Sequence, residues 1–469
     1  MSESQIHIIM KRITLLAIAI FFFQNSKAQQ EFGLPFLTHL AQTPVQVNPA
    51  IFTDHRINLV FPNAYGGFQN SGFQFGDLIE ETPEGRRITL DAALRGMSPS
   101  ENTLRSSLSV NGAALSFQIK RKVQFTFFQN TQFEFQARYP KALPELLWKG
   151  NGAFVGQEVE IAPRLNILGY NEYGFGFAAK PHPDFSFGFN LKYLSGFIGF
   201  ETFRASATVL TSEEYYQLTV NSDIIFRTGG LTDIFDENEG DVLADQSSRY
   251  FIKSNNNGIA GDIGMNYQVS PKLSLSFAIQ DVGKIYWTEY ALEQKSKGTF
   301  RYEGEIVRPF GDGEADFDFE TIRDSIGDLF DFTSKPRSFY MVLPQRFSLV
   351  GKYQISPKTA FGASFHREYW LGVANIAFAA HLQKQVGRWL YAGAMLGYHG
   401  NSSVFLGANA TFQLGPVQLF AMTDNIVTLL NPELGRGTGV RAGMNLTFLK
   451  KKPEKKKEET APPAEMKYN

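Results

Sequence analysis

Cysteine is absent from the 469-residue chain. That excludes disulfide scaffolds, thiolate metal sites, cysteine nucleophiles and the lipid-bearing cysteine of a lipoprotein. An excess of one charge is missing too: 45 Lys plus Arg stand against 46 Asp plus Glu. With nothing to neutralise a phosphate backbone, nucleic acid is not an expected partner. After Gln29 no apolar run approaches the roughly 18 residues of a membrane-spanning helix, so the chain is either a soluble secreted protein or a β-barrel. What it has in plenty is aromatic side chains, 44 Phe, 18 Tyr and 4 Trp, beside 42 Gly. That composition argues against disorder and against a helical bundle.

Lys11 and Arg12 precede an apolar stretch over 13–23, and Ser26-Lys27-Ala28 follows it with small residues at cleavage-site spacing. This pattern predicts a secretory signal over 1–28. The stretch falls well short of the roughly 20 residues that a helical anchor needs.

Beyond residue 55 the dominant signal is period-two alternation. In Phe185-Ser186-Phe187-Gly188-Phe189-Asn190-Leu191-Lys192-Tyr193 every odd position is bulky and apolar, and every even one small or polar. One face of such a strand is greasy and the other wet. The same pattern marks strands over 123–127, 263–269, 273–280 and 440–448. Further strands are predicted over 56–62, 105–118, 132–138, 158–167, 172–180, 215–226, 297–307, 345–353, 358–366, 374–384, 388–398, 403–414 and 416–423. Short turns such as Ser270-Pro271-Lys272 and Ser356-Pro357-Lys358 join some of them.

A soluble sandwich would have to cover its apolar face with a second sheet, and its strands run to about 5 or 6 residues. Here the alternating stretches are longer, and lipid would cover the aromatic face. The expected fold is therefore all-β: a transmembrane antiparallel outer-membrane barrel over 56–449. At roughly 25 to 28 residues per strand and connection it has about 14 to 16 strands.

Several segments depart from the alternation. Residues 36–40 read as a turn of helix, and Asn48-Pro49 as a helix start, because Asn caps well and Pro is tolerated at the first helical position. Residues 29–55 thus form a separate N-terminal segment. Residues 80–97 carry no strong pattern. A short helix is predicted over 143–148, ended by Gly150, and an acidic amphipathic helix over 319–332. From Lys450 to Asn469 the chain has 7 Lys, 4 Glu and 3 Pro, which reads as a disordered tail.

Enzyme chemistry finds little footing. The 7 His show no His-x-x-x-His spacing, and neither a Gly-x-Ser-x-Gly elbow nor a phosphate-binding loop appears. Asp312, Glu314, Asp316, Asp318 and Glu320 put carboxylates on one side of an extended segment, but without the spacing and central Gly of a calcium loop. They read as an acidic surface loop, as do Asp236, Glu237, Glu239 and Asp241. No catalytic residue, metal or cofactor is expected. The polar partners of the aromatic face are candidates for the barrel interior: Ser186, Asn190, Lys192, Asp262, Asn266, Gln268, Gln280, Arg441, Asn445 and Thr447. Such residues suit a pore and a filled scaffold alike, and Lys192 and Asp262 are placed to pair across the interior.

Thr43-Pro44-Val45-Gln46-Val47-Asn48-Pro49-Ala50 resembles the N-terminal motif of FadL-like outer-membrane barrels and of Bacteroidetes barrels related to PorV. With Asn70-Ser71-Gly72-Phe73, Asp77-Leu78-Ile79, Leu146-Leu147, Gly150-Asn151, Asn171-Glu172-Tyr173-Gly174, the stretch Leu191-Lys192-Tyr193-Leu194-Ser195-Gly196, and Leu343-Pro344, the chain is similar to a Bacteroidetes outer-membrane family of unknown function. The resemblance spans about residues 43–448. It implies a barrel of about 14 strands with a small N-terminal plug, in which Asn48, Pro49 and Ala50 lie in a hatch near the ligand path. It also implies a passive channel for a small amphipathic or hydrophobic molecule, set in outer-membrane lipid. The alternative is a non-transporting, PorV-like scaffold of a type IX secretion or gliding machine, docking a protein partner through its loops or through the tail.

Overall fold

The computed structural model describes residues 32–83, 85–214, 217–230, 253–302, 332–399 and 403–450. The signal expected over 1–28, both acidic loops, the helix expected over 319–332 apart from Phe332, and the tail after Lys450 lie outside the described residues.

The chain forms a closed antiparallel barrel of 14 strands. In chain order the wall strands are β1 His55–Asn70, β2 Asn102–Ile119, β3 Val123–Tyr139, β4 Arg164–His182, β5 Phe185–Arg204, β6 Asn257–Gln268 and β7 Leu273–Trp287. Next come β8, which runs through Phe339–Val342 and Gln345–Ser356, then β9 Thr359–Trp370, β10 Val373–Val386 and β11 Leu390–His399. β12 Ser403–Leu414, β13 Val417–Thr423 and β14 Gly437–Lys450 complete the wall. Closure comes from β1, which pairs with β14 (Leu59↔Leu446) on one side and β2 (Leu59↔Leu115) on the other. With no open edge, every wall strand can satisfy its backbone inside hydrocarbon.

Alternation decides which way the residues point. Phe187, Phe189, Leu191 and Tyr193 on β5, like Ile263, Met265 and Tyr267 on β6, are exposed on the outside. Ser186, Asn190 and Lys192 between them are buried. Neighbouring strands repeat this, so the exterior is an apolar aromatic surface and the interior is polar, the arrangement a membrane barrel requires. Tight connections such as Pro183-Asp184, Pro357-Lys358 and Gly415-Pro416 gather at the end where β1 begins, which we call the turn end; Gly415 takes φ +61° there. Longer connections gather at the opposite, loop end. There Ala207–Thr211, Leu218–Gly230, Leu292–Tyr302 and Thr333–Pro336 extend the sheet past β5. β13 is only 7 residues long, and the helix Ile426–Leu430 that follows it contacts both β12 and β14.

Several local expectations change. Residues 123–127 and 132–138 belong to one strand, and 172–180 joins the end of the stretch expected over 158–167. In β3 the gap holds Asn130, whose side chain is used inside the barrel, so hydrophobicity breaks while backbone pairing continues. The patternless 80–97 segment is a hairpin, Ile79–Thr82 with Gly85–Ile88, followed by the helix Asp91–Gly96. Glu80 stands opposite Arg87 and Glu81 opposite Arg86; with charge on both strands there is no apolar face to read. The helix expected over 143–148 is Ala142–Lys149, and Gly150 at φ +75° ends it.

Candidate functional site: a filled lumen with a charged belt

Residues 32–53 contain no strand and lie inside the barrel at the turn end. They begin with the 3-10 turn Leu34–Phe36 and continue through the short helix Thr43–Gln46. Their apolar side chains meet the wall on several sides: Leu34, Leu37, Leu40 and Val47 pack on Phe420 and Met422, Phe36 on Val350 and Ala360, and Val45 on Val60, Ala114 and Phe128. Polar side chains complete the fit. Ala41 N–H donates to Gln418 Oε1 (3.1 Å), Gln280 Nε2 to Gln46 O (2.7 Å), Asn445 Nδ2 to Gln42 Oε1 (2.8 Å), and Ser186 Oγ to Ala50 O (2.8 Å). Phe32 N–H donates to Asp424 Oδ1 at 3.2 Å.

Asn48 does not start a helix; the short helix precedes it. Its amide works as a cross-link instead. Nδ2 donates to Met265 O (3.2 Å), Ser276 Oγ (2.7 Å) and Phe277 O (3.0 Å), while Oδ1 accepts from Ala50 N–H (2.9 Å). Glycine makes this approach possible: a Cβ on Gly264 would lie 1.9 Å from Asn48 Oδ1, and one on Gly188 would lie 2.7 Å from the Pro49 carbonyl carbon.

Further in, ion pairs form a belt across the lumen. Arg105 meets Glu134 at 3.0 Å and also Glu368. Arg346 reaches Glu134 (2.8 Å), Asp281 (3.1 Å) and Glu368 (3.1 Å). Lys192 holds Asp281 (2.5 Å), Asp262 (2.9 Å) and Glu172 (3.8 Å). Each cation answers at least two carboxylates, as buried charges must to offset desolvation. Arg441 approaches from β14, donating to Asn63 Oδ1 (2.7 Å) and Asn111 Oδ1 (2.8 Å) over the Tyr65 ring. Between segment and belt lies a cavity of about 90 Å³, lined by Leu34, Val45 and Gln46 on one side and Arg105, Glu134 and Arg346 on the other. It has room for a few waters.

Next to the belt, toward the loop end, the interior turns apolar. Leu168, Tyr170, Leu194, Ile285, Trp287, Met341, Leu343 and Trp370 form one cluster, and Trp287 and Trp370 are fully buried. Trp287 lies against Gly196, Gly199, Gly229 and Gly230, where added Cβ atoms would fall 2.5 to 3.2 Å from its ring. The Arg105 guanidinium sits 5.7 Å from the Trp370 ring centroid, so charge and apolar surface meet directly.

Residues 49–424 match a family model described as "Family of unknown function (DUF5723)". The chain belongs to the DUF5723 family. No curated protein matches it. Among solved structures, this DUF5723 barrel is similar to a Pseudomonas aeruginosa FadL homologue at 11% identity, covering 87% of this chain and 94% of that one with a TM-score of 0.42. It is also similar to the Pseudomonas putida toluene transporter TodX at 8% identity, covering 90% and 94% with a TM-score of 0.37. The barrel assignment rests on the strand pairing itself.

The residues singled out in the DUF5723 sequence fall into three groups. Asn48, Pro49, Ala50, Ser186, Gln280 and Asn445 are where the N-terminal segment meets the wall. Asn190, Lys192 and Asp262 are in or beside the belt: Lys192 pairs with Asp262, and Asn190 donates to Asp262 at 2.9 Å. Arg441 lines the cavity, whereas Asn266, half-buried opposite Ser186, Gln268, which donates to Ser270 O (2.7 Å), and Thr447, which donates to Pro416 O (3.3 Å), lie outside belt and cavity. Arg105, Glu134, Asp281, Arg346 and Glu368 were not among the interior candidates, and Glu172 entered only through the Asn171-Glu172-Tyr173-Gly174 stretch of the resemblance. All but Asp281 occupy the polar side of strands the alternation does predict, and extending it residue by residue finds them. Among the described residues no group of three His, Asp or Glu is placed to hold a metal.

Proposed function

We propose that this chain is a bacterial outer-membrane channel for a small amphipathic or hydrophobic molecule, with residues 29–55 as a hatch that closes the turn end. The observation that carries this reading is the order of surfaces inside the barrel: a strandless segment, then a belt of three cations and five carboxylates, then an apolar cluster around Trp287. A molecule with an apolar body and a polar end matches the junction of cluster and belt. Its body would lie on Trp287 and Trp370, where desolvation favours it, and its polar end would exchange hydrogen bonds with Arg105, Arg346 or Lys192. Asn48, Pro49 and Ala50 anchor the hatch to β5, β6 and β7, so opening breaks the Asn48 bonds first. Outer-membrane lipid surrounds the aromatic exterior.

A variant keeping only Trp287, made with Trp148→Phe, Trp370→Phe and Trp389→Phe, tests the site. A brominated single-chain carboxylate should quench Trp287 saturably, and its unbrominated analogue should compete. Quenching that is linear with concentration and indifferent to the competitor would rule out a bound amphiphile at this cluster.

A further inference from the structure

Four of the chain's seven histidines gather where the N-terminal segment meets β9 to β12. Phe32 lies between His366 (5.7 Å between ring centroids) and His399 (5.9 Å), and stacks on Phe405. Phe36 stacks face to face on His381 at 4.8 Å, with ring planes 13° apart. His39, on the segment itself, stacks on Tyr391 at 4.3 Å and places Nε2 3.3 Å from Thr411 Oγ1. His366, His381 and His399 are buried. Segment aromatics and wall imidazoles therefore interlock along one side of the lumen.

The polar groups against His39 and His381 are neutral or cationic. Lys352 Nζ donates to Thr38 Oγ1 (3.0 Å), next to His39, and sits 5.0 Å from the centroid of the Phe36 ring that stacks on His381, so a cation is already present near both. His381 Nε2 is 2.8 Å from Ser364 Oγ, a neutral partner, and His399 Nδ1 is 3.5 Å from Gln69 Nε2. Three carboxylates lie around this seat. Asp54 acts on Lys352, Asp424 accepts from Phe32 N–H, and Glu368, two positions along β9 from His366, is held by Arg105 and Arg346.

We propose that the N-terminal segment is an acid-released plug: protonating the His39 and His381 imidazoles at its seat expels it from the lumen. Positive charge added there is desolvated and faces Lys352, whereas on a released segment and an emptied wall the same charge is hydrated. Burial and Lys352 hold the His39 imidazole down to about 3, against 6.5 when free. The seated state therefore resists protonation, and its advantage is complete above pH 6.5 and shrinks as pH falls toward 3. Over that range His39, neutral while seated, contributes about tenfold per pH unit to the release equilibrium, and His381 adds to it where it too stays neutral. The inference deepens the channel reading by giving the hatch a trigger. Its test follows the segment's position rather than flux, so the two can fail separately.

Because the chain has no cysteine, Thr38→Cys carries a single nitroxide spin label. In the full chain in liposomes, the label should be immobile and shielded from a water-soluble relaxant at pH 7.5. It should become mobile and accessible below about pH 6, and reseat on return to neutral pH. His39→Gln and His381→Gln, made separately and together, keep polar rings' hydrogen-bonding capacity without the titration, and should each reduce the pH response by about tenfold per unit. A label that stays immobile to pH 4.5 in a barrel still heat-modifiable on gels overturns the proposal. So does release in the double variant with the same midpoint and steepness as in the wild type.

Discussion

Asp281 and Lys192 meet inside the barrel with Oδ1 2.5 Å from Nζ, although Asp281 stands at an odd position of β7 that strict alternation would turn toward lipid. A bulge between β6 and β7 skips the pairing between Gly261↔Val282 and Ile263↔Ile279, and Asp281 takes φ +59° there. The irregularity re-aims one carboxylate into the belt, where its N–H also donates to Asp262 Oδ1 at 2.9 Å. Backbone strain of this kind costs about 1 to 3 kcal/mol and persists only where surrounding contacts hold it.

Removing that carboxylate leaves the buried Lys192 and the half-buried Arg346 with fewer counter-charges. Asp281→Ala should destabilise the folded barrel by about 3 to 5 kcal/mol, the range for breaking a buried pair from one side. Urea unfolding from lipid vesicles, followed by gel mobility without heating, measures it. A loss under 1 kcal/mol would mean the belt relaxes around the gap.

Gly264→Ala tests the anchor. Its methyl would come within 1.9 Å of Asn48 Oδ1, so the amide must leave the carbonyls of Met265 and Phe277. The expected result is a folded barrel whose N-terminal segment is less protected by about 1 to 3 kcal/mol. Hydrogen exchange at the Leu40, Val45 and Val47 amides, each bonded within the segment, reads this. Unchanged protection would show that Asn48 does not hold the segment in place.

At the loop end, Glu293 gathers Arg227 (3.2 Å), Arg337 (2.7 Å) and Lys335 (3.3 Å). Withdrawal from water raises its carboxyl, but these cations outweigh that and hold it below the ordinary 4.5. A carboxyl with a depressed folded value stabilises fully above its free value and loses that stability as pH falls through the folded one. The pairing of Leu218–Gly230 with Leu292–Tyr302 should therefore stay intact at pH 5 and loosen only well below pH 4.5. Glu293→Gln should loosen it already at neutral pH, raising amide exchange over 218–230 by tenfold or more.

The wall was legible from the sequence because lipid enforces one rule on every strand. Phe187, Phe189, Leu191 and Tyr193 face out, so Ser186, Asn190 and Lys192 must face in. Two kinds of feature escaped that rule. Asp281 depends on a bulge, where a single left-handed residue reverses the side its neighbours predict. Asn48 has the composition of a helix cap, yet its partners lie on β6 and β7, more than 200 residues away, and nothing local marks them. The histidines show the same limit. His366, His381 and His399 are scattered singly along three strands and come together only because β9, β10 and β11 are adjacent.

Counting charges gives the belt a sign. With five belt carboxylates (Glu134, Glu172, Asp262, Asp281, Glu368) and Asp424 against Arg105, Lys192, Arg346, Arg441 and Lys352, these lumen groups carry an excess of one negative charge when all are ionised, 6 − 5. Current through a barrel lacking residues 29–55 should therefore prefer potassium over chloride, a reversal potential that Asp281→Ala should move toward zero. Anion preference would place the conducting path away from the belt.

The most direct measurement is uptake of a small amphipathic solute into liposomes holding either the full chain or a chain lacking residues 29–55, at pH 7.5, with both shown to be folded by heat modifiability. If the segment closes a passage through the barrel, the shortened chain takes up solute several-fold faster and conducts steadily, and the full chain stays nearly closed. If both remain sealed while folded, the interior is a filled scaffold and the channel reading is contradicted.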